Sequence, residues 1–194
     1  MAMILASQSP RRRELLGQMG FSFTVRPAKG EELPHPELTP AQLVEELARQ
    51  KALEVSAEAA SDDVVVAADT VVAIDGKVLG KPHDKVHAAQ MLSALSGREH
   101  TVYTGVAVKR GETLLVEHEA TQVRFRPLTE REIDLYIQTG EPMDKAGSYG
   151  IQGYGALLVE GIRGDYHNVM GLPICRLGRM LLDFGVDCLA LAGR

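Results

Sequence analysis

Within its first sixteen residues the chain passes from a short apolar strand straight into a helix, and the rest of the chain is organised around that junction. Ile4, Leu5 and Ala6 read as the end of a buried strand. Ser9 is suited to cap a following helix, and Pro10 to its first position, where no N–H is needed. Leu15, Leu16 and Met19 supply a core face, and Gly20 a stop. Arg11, Arg12 and Arg13 do not fit a purely structural helix start, because the free amides and the macrodipole already make that end partly positive. A bound anion would remove the conflict by collecting backbone amides, the Ser7 and Ser9 hydroxyls and a guanidinium. Three solvated arginines on a surface turn, at a cost of ~1 kcal/mol, are the ordinary alternative.

The 194 residues suffice for one domain, taken here as residues 1–194, or for two small lobes sharing a core. A formal net charge of −5 argues against a broad nucleic-acid-binding surface, so basic residues that matter must act locally. Cys175 and Cys188 are too few for a disulfide framework or a zinc site. Neither a signal peptide nor an apolar run of spanning length is apparent, so the expectation is a cytoplasmic protein with no membrane partner.

Further elements follow from patterning. Phe21–Val25 alternates as a half-buried strand. Thr39-Pro40-Ala41-Gln42 is a capping box opening a helix to about Ala59, and Lys51 falls on its inner stripe. Taken alone, Lys51 reads better as a lysine snorkelling at the core edge than as a binding residue. Val64–Ala68 reads as a buried strand that delivers Asp69-Thr70 before Val71–Ile74 resumes the apolar pattern. Asp75-Gly76 marks a hairpin leading to Gly80-Lys81-Pro82. A helix over His87–Leu95 precedes two long strands, about Thr101–Lys109 and Thr113–Phe125. A second capping box at Thr129–Glu132 opens a helix ending near Gly140. The segment Gly140–Gly171 holds eight of the 19 glycines, a density that lets backbone wrap closely around a ligand; a strand of about Ala156–Ile162 crosses it. An amphipathic helix with Leu177, Leu181 and Leu182 closes a mixed α/β chain.

Asp69, set between two apolar segments, either ends a strand or is buried at high cost. As a carboxylate it suits a divalent cation or a proton drawn from water; an aspartate bonding its own turn is the plainer reading. Glu31 and Glu32 alone resemble a solvated pair of charges. Together, Ser7, Ser9, Arg11, Arg12, Lys51 and Lys81 could neutralise a polyphosphate, while Glu31, Glu32 and Asp69 could hold a hard cation against it. No P-loop, no Gly-x-Ser-x-Gly elbow and no His-Glu-x-x-His motif is present, and the six histidines show no ligand spacing.

These residues resemble the Maf family of nucleoside triphosphate pyrophosphatases. The likeness rests on Ser7–Leu16, Ala68-Asp69-Thr70, Gly80-Lys81-Pro82, Asp144–Gly153 and Val169–Pro173, collinear over nearly the whole chain. It implies an α/β fold related to inosine triphosphatase, with a twisted mixed sheet and two lobes around a central cleft. It also implies a homodimer that binds a nucleoside triphosphate and requires Mg2+, or Mn2+ or Co2+ in its place. Arg11, Thr70 and Gln152 match the branch that hydrolyses dTTP and UTP rather than the one that favours 7-methyl-GTP. A glutamine amide can meet a pyrimidine carbonyl and N–H together. By the same likeness Asp69 accepts a proton or shares the metal. Ser7, Ser9, Arg12, Lys51 and Lys81 hold the triphosphate, and Glu32, with Glu31 close behind, is a second metal ligand. Gln8 and Gly30 depart from the family pattern.

The leading expectation is therefore a pyrophosphatase for dTTP and UTP, with modified pyrimidine nucleotides an open alternative. A nucleotide-binding regulator of septum formation, needing no chemistry from Asp69, is the second reading. An RNA-binding module is disfavoured by the acidic net charge and few aromatic residues.

Overall fold

A computed structural model describes residues 1–30 and 35–192. The opening junction forms as its residues dictate: β1 (Met3–Leu5) is buried throughout, and α1 (Pro10–Gln18) starts with its proline at the first turn and buries Leu15 and Leu16. Fully burying two leucines contributes ~3–6 kcal/mol before entropy is counted, enough to seat a helix that is otherwise polar. Then β2 (Phe23–Val25) pairs in parallel with β1. The capping box at Thr39 forms with both of its bonds, opening α2 (Pro40–Ser56), which stops short of the predicted Ala59.

The next strand, β3 (Val64–Ile74), runs unbroken through Asp69 and Thr70. Asp75 and Gly76, both at positive φ, turn the chain into β4 (Lys77–Leu79), as expected of a two-residue hairpin. Asp84 caps α3 (Lys85–Leu95), two residues earlier than its apolar pattern suggests. In the expected hairpin β5 (Glu99–Arg110) extends past both predicted ends while β6 (Thr113–Phe125) keeps its predicted bounds, and the Thr129 capping box starts α4 (Glu130–Gln138). Much of the glycine-rich segment winds as short 3-10 turns, so β7 (Val159–Arg163) begins after the predicted Ala156. Three helices finish the chain: α5 (Tyr166–Met170), α6 (Ile174–Leu182) and α7 (Cys188–Ala192).

The strands form one mixed sheet in the order β2-β1-β3-β5-β6-β7, with β4 also on β3. One edge of β3 is paired with β5 from Val65 to Ala73. The other is shared: β1 covers Val64–Val66 and β4 covers Val72–Ile74. Between them, residues 67–71 have no strand neighbour on this edge among the described residues, and the sheet opens there. Because side chains alternate, each end of β3 feeds a separate core on one face. Val64, Val66 and Ala68 join Leu15, Leu16, Leu177 and Leu181, while Val72 and Ile74 join Leu92, Leu95, Phe125 and Ile133. On the opposite face Val65 and Ala67 pack with Ala48, Ala52 and Val55 of α2. The two cores flank the gap in the sheet, which matches the expected pair of lobes.

Candidate active site

The gap exposes backbone that a partner strand would otherwise satisfy, and Arg12 fills this need. Its guanidinium donates to Ala68 O (2.8 Å), Gly171 O (2.7 Å), Thr70 Oγ1 (2.9 Å) and Ser7 Oγ (3.3 Å). The three arginines thus divide. Arg12 stitches α1 to β3 and to the turn before α6, Arg11 reaches Met170 O (3.4 Å), and Arg13 is exposed. Ser9 occupies the N-cap position of α1, yet its side chain makes no capping bond; instead its N–H donates to the buried Ser7 Oγ (3.2 Å). Behind Arg12 a polar chain continues through the sheet: Thr70 and Thr104 hydroxyls meet at 2.9 Å, and Thr104 donates to Asn168 O (3.0 Å).

Asp69 points to the other face of β3, toward α2. Opposite it in register stands Gly105, and a Cβ there would lie 2.1 Å from Val44 O. Only glycine lets α2 come this close, and the approach carries Lys51 to Asp69, with Nζ 2.5 Å from Oδ1. Their side chains are 20% and 12% exposed, so the carboxylate is largely desolvated but compensated. Asp69 therefore lies inside a strand, beside the gap, rather than at a strand end or in a turn of its own. Lys51 is an ion-pair partner and not a snorkelling surface lysine.

A cleft of about 1050 Å³ opens over the gap, and Ser7, Ser9, Arg11, Arg12, Lys51, Asp69, Thr70 and Lys81 all line it. Gln152 instead lines an adjoining recess of about 260 Å³, which it shares with Arg11. The structure thus brings together every phosphate and specificity candidate named from the sequence. Glu31 and Glu32, the other expected metal ligands, lie outside the described residues.

Several side chains that complete the site carried no role in the sequence reading. Glu141 accepts from the Tyr136 hydroxyl (2.9 Å) and from the N–H groups of Tyr154 (3.0 Å) and Gly155 (2.9 Å), tying the glycine-rich segment into one loop. Burial pushes the Tyr136 phenol above its usual range. Lys145 faces both cavities, with its ammonium on Glu141 O (2.6 Å) and Asp144 Oδ1 (2.7 Å). Tyr149 also faces both, its hydroxyl 2.8 Å from His100 Nε2. Lys145 and Tyr149 fall within the Asp144–Gly153 motif, which assigned them no role, and the sequence signal of Glu141 is its position in a stretch too glycine-rich to be plain connection.

A family model described as Maf-like protein matches residues 2–184. The chain belongs to the Maf family. Among relatives of this Maf protein, one from Moorella thermoacetica, named dTTP/UTP pyrophosphatase, is 54% identical over 95% of this chain and 96% of its own length. Proteins of the same name from Symbiobacterium thermophilum and Bacillus pumilus are 54% and 53% identical over 94% and 95% of the chain, covering 94% and 97% of theirs. The solved structure of a HAM1 protein from Coxiella burnetii matches the Maf chain with a TM-score of 0.51 at 15% identity. It covers 94% of this chain and all of the other, and it places the mixed sheet in a shared fold.

Proposed function

We propose that this Maf protein hydrolyses dTTP and UTP to the monophosphate and pyrophosphate. The observation that carries the reading is identity of about half, over nearly the full chain, with proteins named dTTP/UTP pyrophosphatase. The site supports it: one cleft joins a carboxylate and several cations, and a small recess with Gln152 adjoins it.

In this reading the triphosphate lies over the gap in the sheet. Lys81 at the exposed rim and Arg12 beneath offset its charge, with the Ser7 and Ser9 region and the start of α1 alongside. Asp69 accepts the proton of a water whose oxygen attacks the α-phosphorus, and pyrophosphate leaves as the bridging P–O bond breaks. Lys51 on Oδ1 holds the carboxylate in place. Gln152 and Arg11 receive the pyrimidine in the adjoining recess, and Thr70 fixes Arg12 from below.

A divalent cation fits these residues. No group of three or more His, Cys, Asp or Glu is placed to hold one alone among the described residues, but Asp69 offers a hard oxygen ligand facing the bay for the phosphates. A carboxylate plus substrate phosphate oxygens is the usual way Mg2+ is bound, and Mn2+ or Co2+ accept the same donors. Such an ion, when bound, neutralises charge on the phosphates. The described residues include no helix long and apolar enough to cross a membrane. A cytoplasmic homodimer with no nucleic-acid partner remains part of the proposal, and sedimentation of the purified protein measures its subunit number.

The deciding experiment is pyrophosphate release across a panel of nucleoside triphosphates with Mg2+. The expected result is preference for dTTP and UTP, with Asp69→Asn reducing turnover by about 10²-fold or more. Wild-type protein releasing no pyrophosphate from either nucleotide would sink the proposal.

A further inference from the structure

The catalytic cleft and the recess with Gln152 are distinct cavities that share a stretch of wall, and the shared wall includes Lys145. On the proposed function, which this inference builds upon, the triphosphate occupies one cavity and the pyrimidine the other. The part of a nucleotide that must cross the shared wall is its sugar.

Lys145 is built into that wall. Its stem passes Gly150 so closely that a Cβ on Gly150 would lie 2.8 Å from Lys145 Cε. Its ammonium is anchored by Glu141 O and Asp144 Oδ1, and the side chain is 14% exposed. Two of three ammonium donors are thereby used, leaving one for a ligand. Asp144, 69% exposed, lines the cleft beside it and adds acceptor oxygens. Burial opposes the Asp144 charge, but the Lys145 bond and the Lys145 and Arg11 charges outweigh it and hold the carboxyl below its ordinary value.

A carboxylate beside an already neutralised ammonium is a poor seat for phosphate, which the carboxylate repels. It is a good seat for a neutral hydroxyl, which needs one donor and one acceptor side by side. The two proposed substrates differ at the sugar 2′ position and share the 3′-hydroxyl. We propose that Asp144 and Lys145 form the sugar subsite, with Lys145 Nζ donating to the substrate's 3′-hydroxyl and Asp144 accepting from it.

The test compares kcat/KM for dTTP and for dideoxythymidine triphosphate, which lacks that hydroxyl, in wild type, Lys145→Met and Asp144→Asn. Loss of a hydrogen bond to a charged group corresponds to about 10- to 100-fold, so wild type should favour dTTP by that factor. Each substitution should lower dTTP turnover toward the dideoxy value while leaving the dideoxy value nearly unchanged. Methionine keeps the stem that packs on Gly150, and Asp144 is exposed, so either variant should fold. Equal losses on both nucleotides, or a wild type indifferent to the hydroxyl, would overturn the sugar assignment alone. Wild-type failure on dTTP itself would instead remove the function on which the assignment stands.

Discussion

At the scale of single residues, cations that look equivalent in sequence do different work. Arg12 spends its N–H groups on protein acceptors in three separate segments, including the Ala68 carbonyl that no strand pairs with. A lysine there would keep the charge but lose the planar fork, leaving carbonyls unsatisfied at ~1–3 kcal/mol. Lys81 is exposed at the cleft rim. Arg12→Lys should therefore lower both the urea midpoint and kcat/KM. Lys81→Met should lower kcat/KM by about tenfold or more while stability stays within ~0.5 kcal/mol. Paired denaturation and pyrophosphate assays separate the two, and a Lys81 variant as unstable as the Arg12 variant would contradict the division. The sequence singled out Arg12 because an arginine cluster at a helix start is locally unfavourable, and Lys81 through the Gly80-Lys81-Pro82 motif. It could not say which arginine faces ligand and which faces protein, since the deciding acceptors lie at Ala68 and Gly171.

At the scale of elements, the pairing of Asp69 with Lys51 depends on how closely α2 lies on the sheet. Gly105 sets that distance, although it is neither in the cleft wall nor charged. Gly105→Ala forces a methyl into Val44 O, so either α2 lifts or β5 bends. Overpacking of this kind costs ~1–3 kcal/mol or more. The expected outcome is a lower urea midpoint and, in the fraction still folded, a fall in kcat greater than that in a distant surface variant, because Lys51 moves with α2. Unchanged kcat in a destabilised Gly105→Ala protein would uncouple the helix from the chemistry. Most elements were legible in advance: both capping boxes, the Asp75-Gly76 turn and the long β5–β6 hairpin form where local rules put them. Asp69 stayed open between a strand end and a costly burial because its burial is compensated by Lys51, eighteen residues away, and no local pattern records that partner.

At the scale of the whole molecule, the two cores at the ends of β3 must both hold for the gap between them to stay open, and one contains a titratable group. His100 is 3% exposed, lies edge-on to Phe125 and Tyr149, and bonds the Tyr149 hydroxyl that backs the recess. Desolvation pushes its pKa down from 6.5 to about 4. The folded state thus keeps His100 neutral where the unfolded chain would bind a proton. Its stabilising contribution is complete above pH ~6.5 and is lost as pH falls toward about 4. The shift corresponds to a few kcal/mol, on the order of 3, across that window. The Glu46 carboxyl, held down to about 2 chiefly by its Arg49 bond, contributes stability that is lost only as pH falls from its ordinary value of 4.5 toward about 2. Urea midpoints should therefore fall between pH 7 and pH 4.5 in wild type. His100→Gln retains a polar partner for Tyr149 but cannot take a proton, and should show a much flatter profile over the same range. Because Tyr149 lines both cavities, substrate affinity in wild type should weaken along with stability as acid is added. A His100→Gln profile as steep as wild type would place the acid sensitivity elsewhere in the molecule.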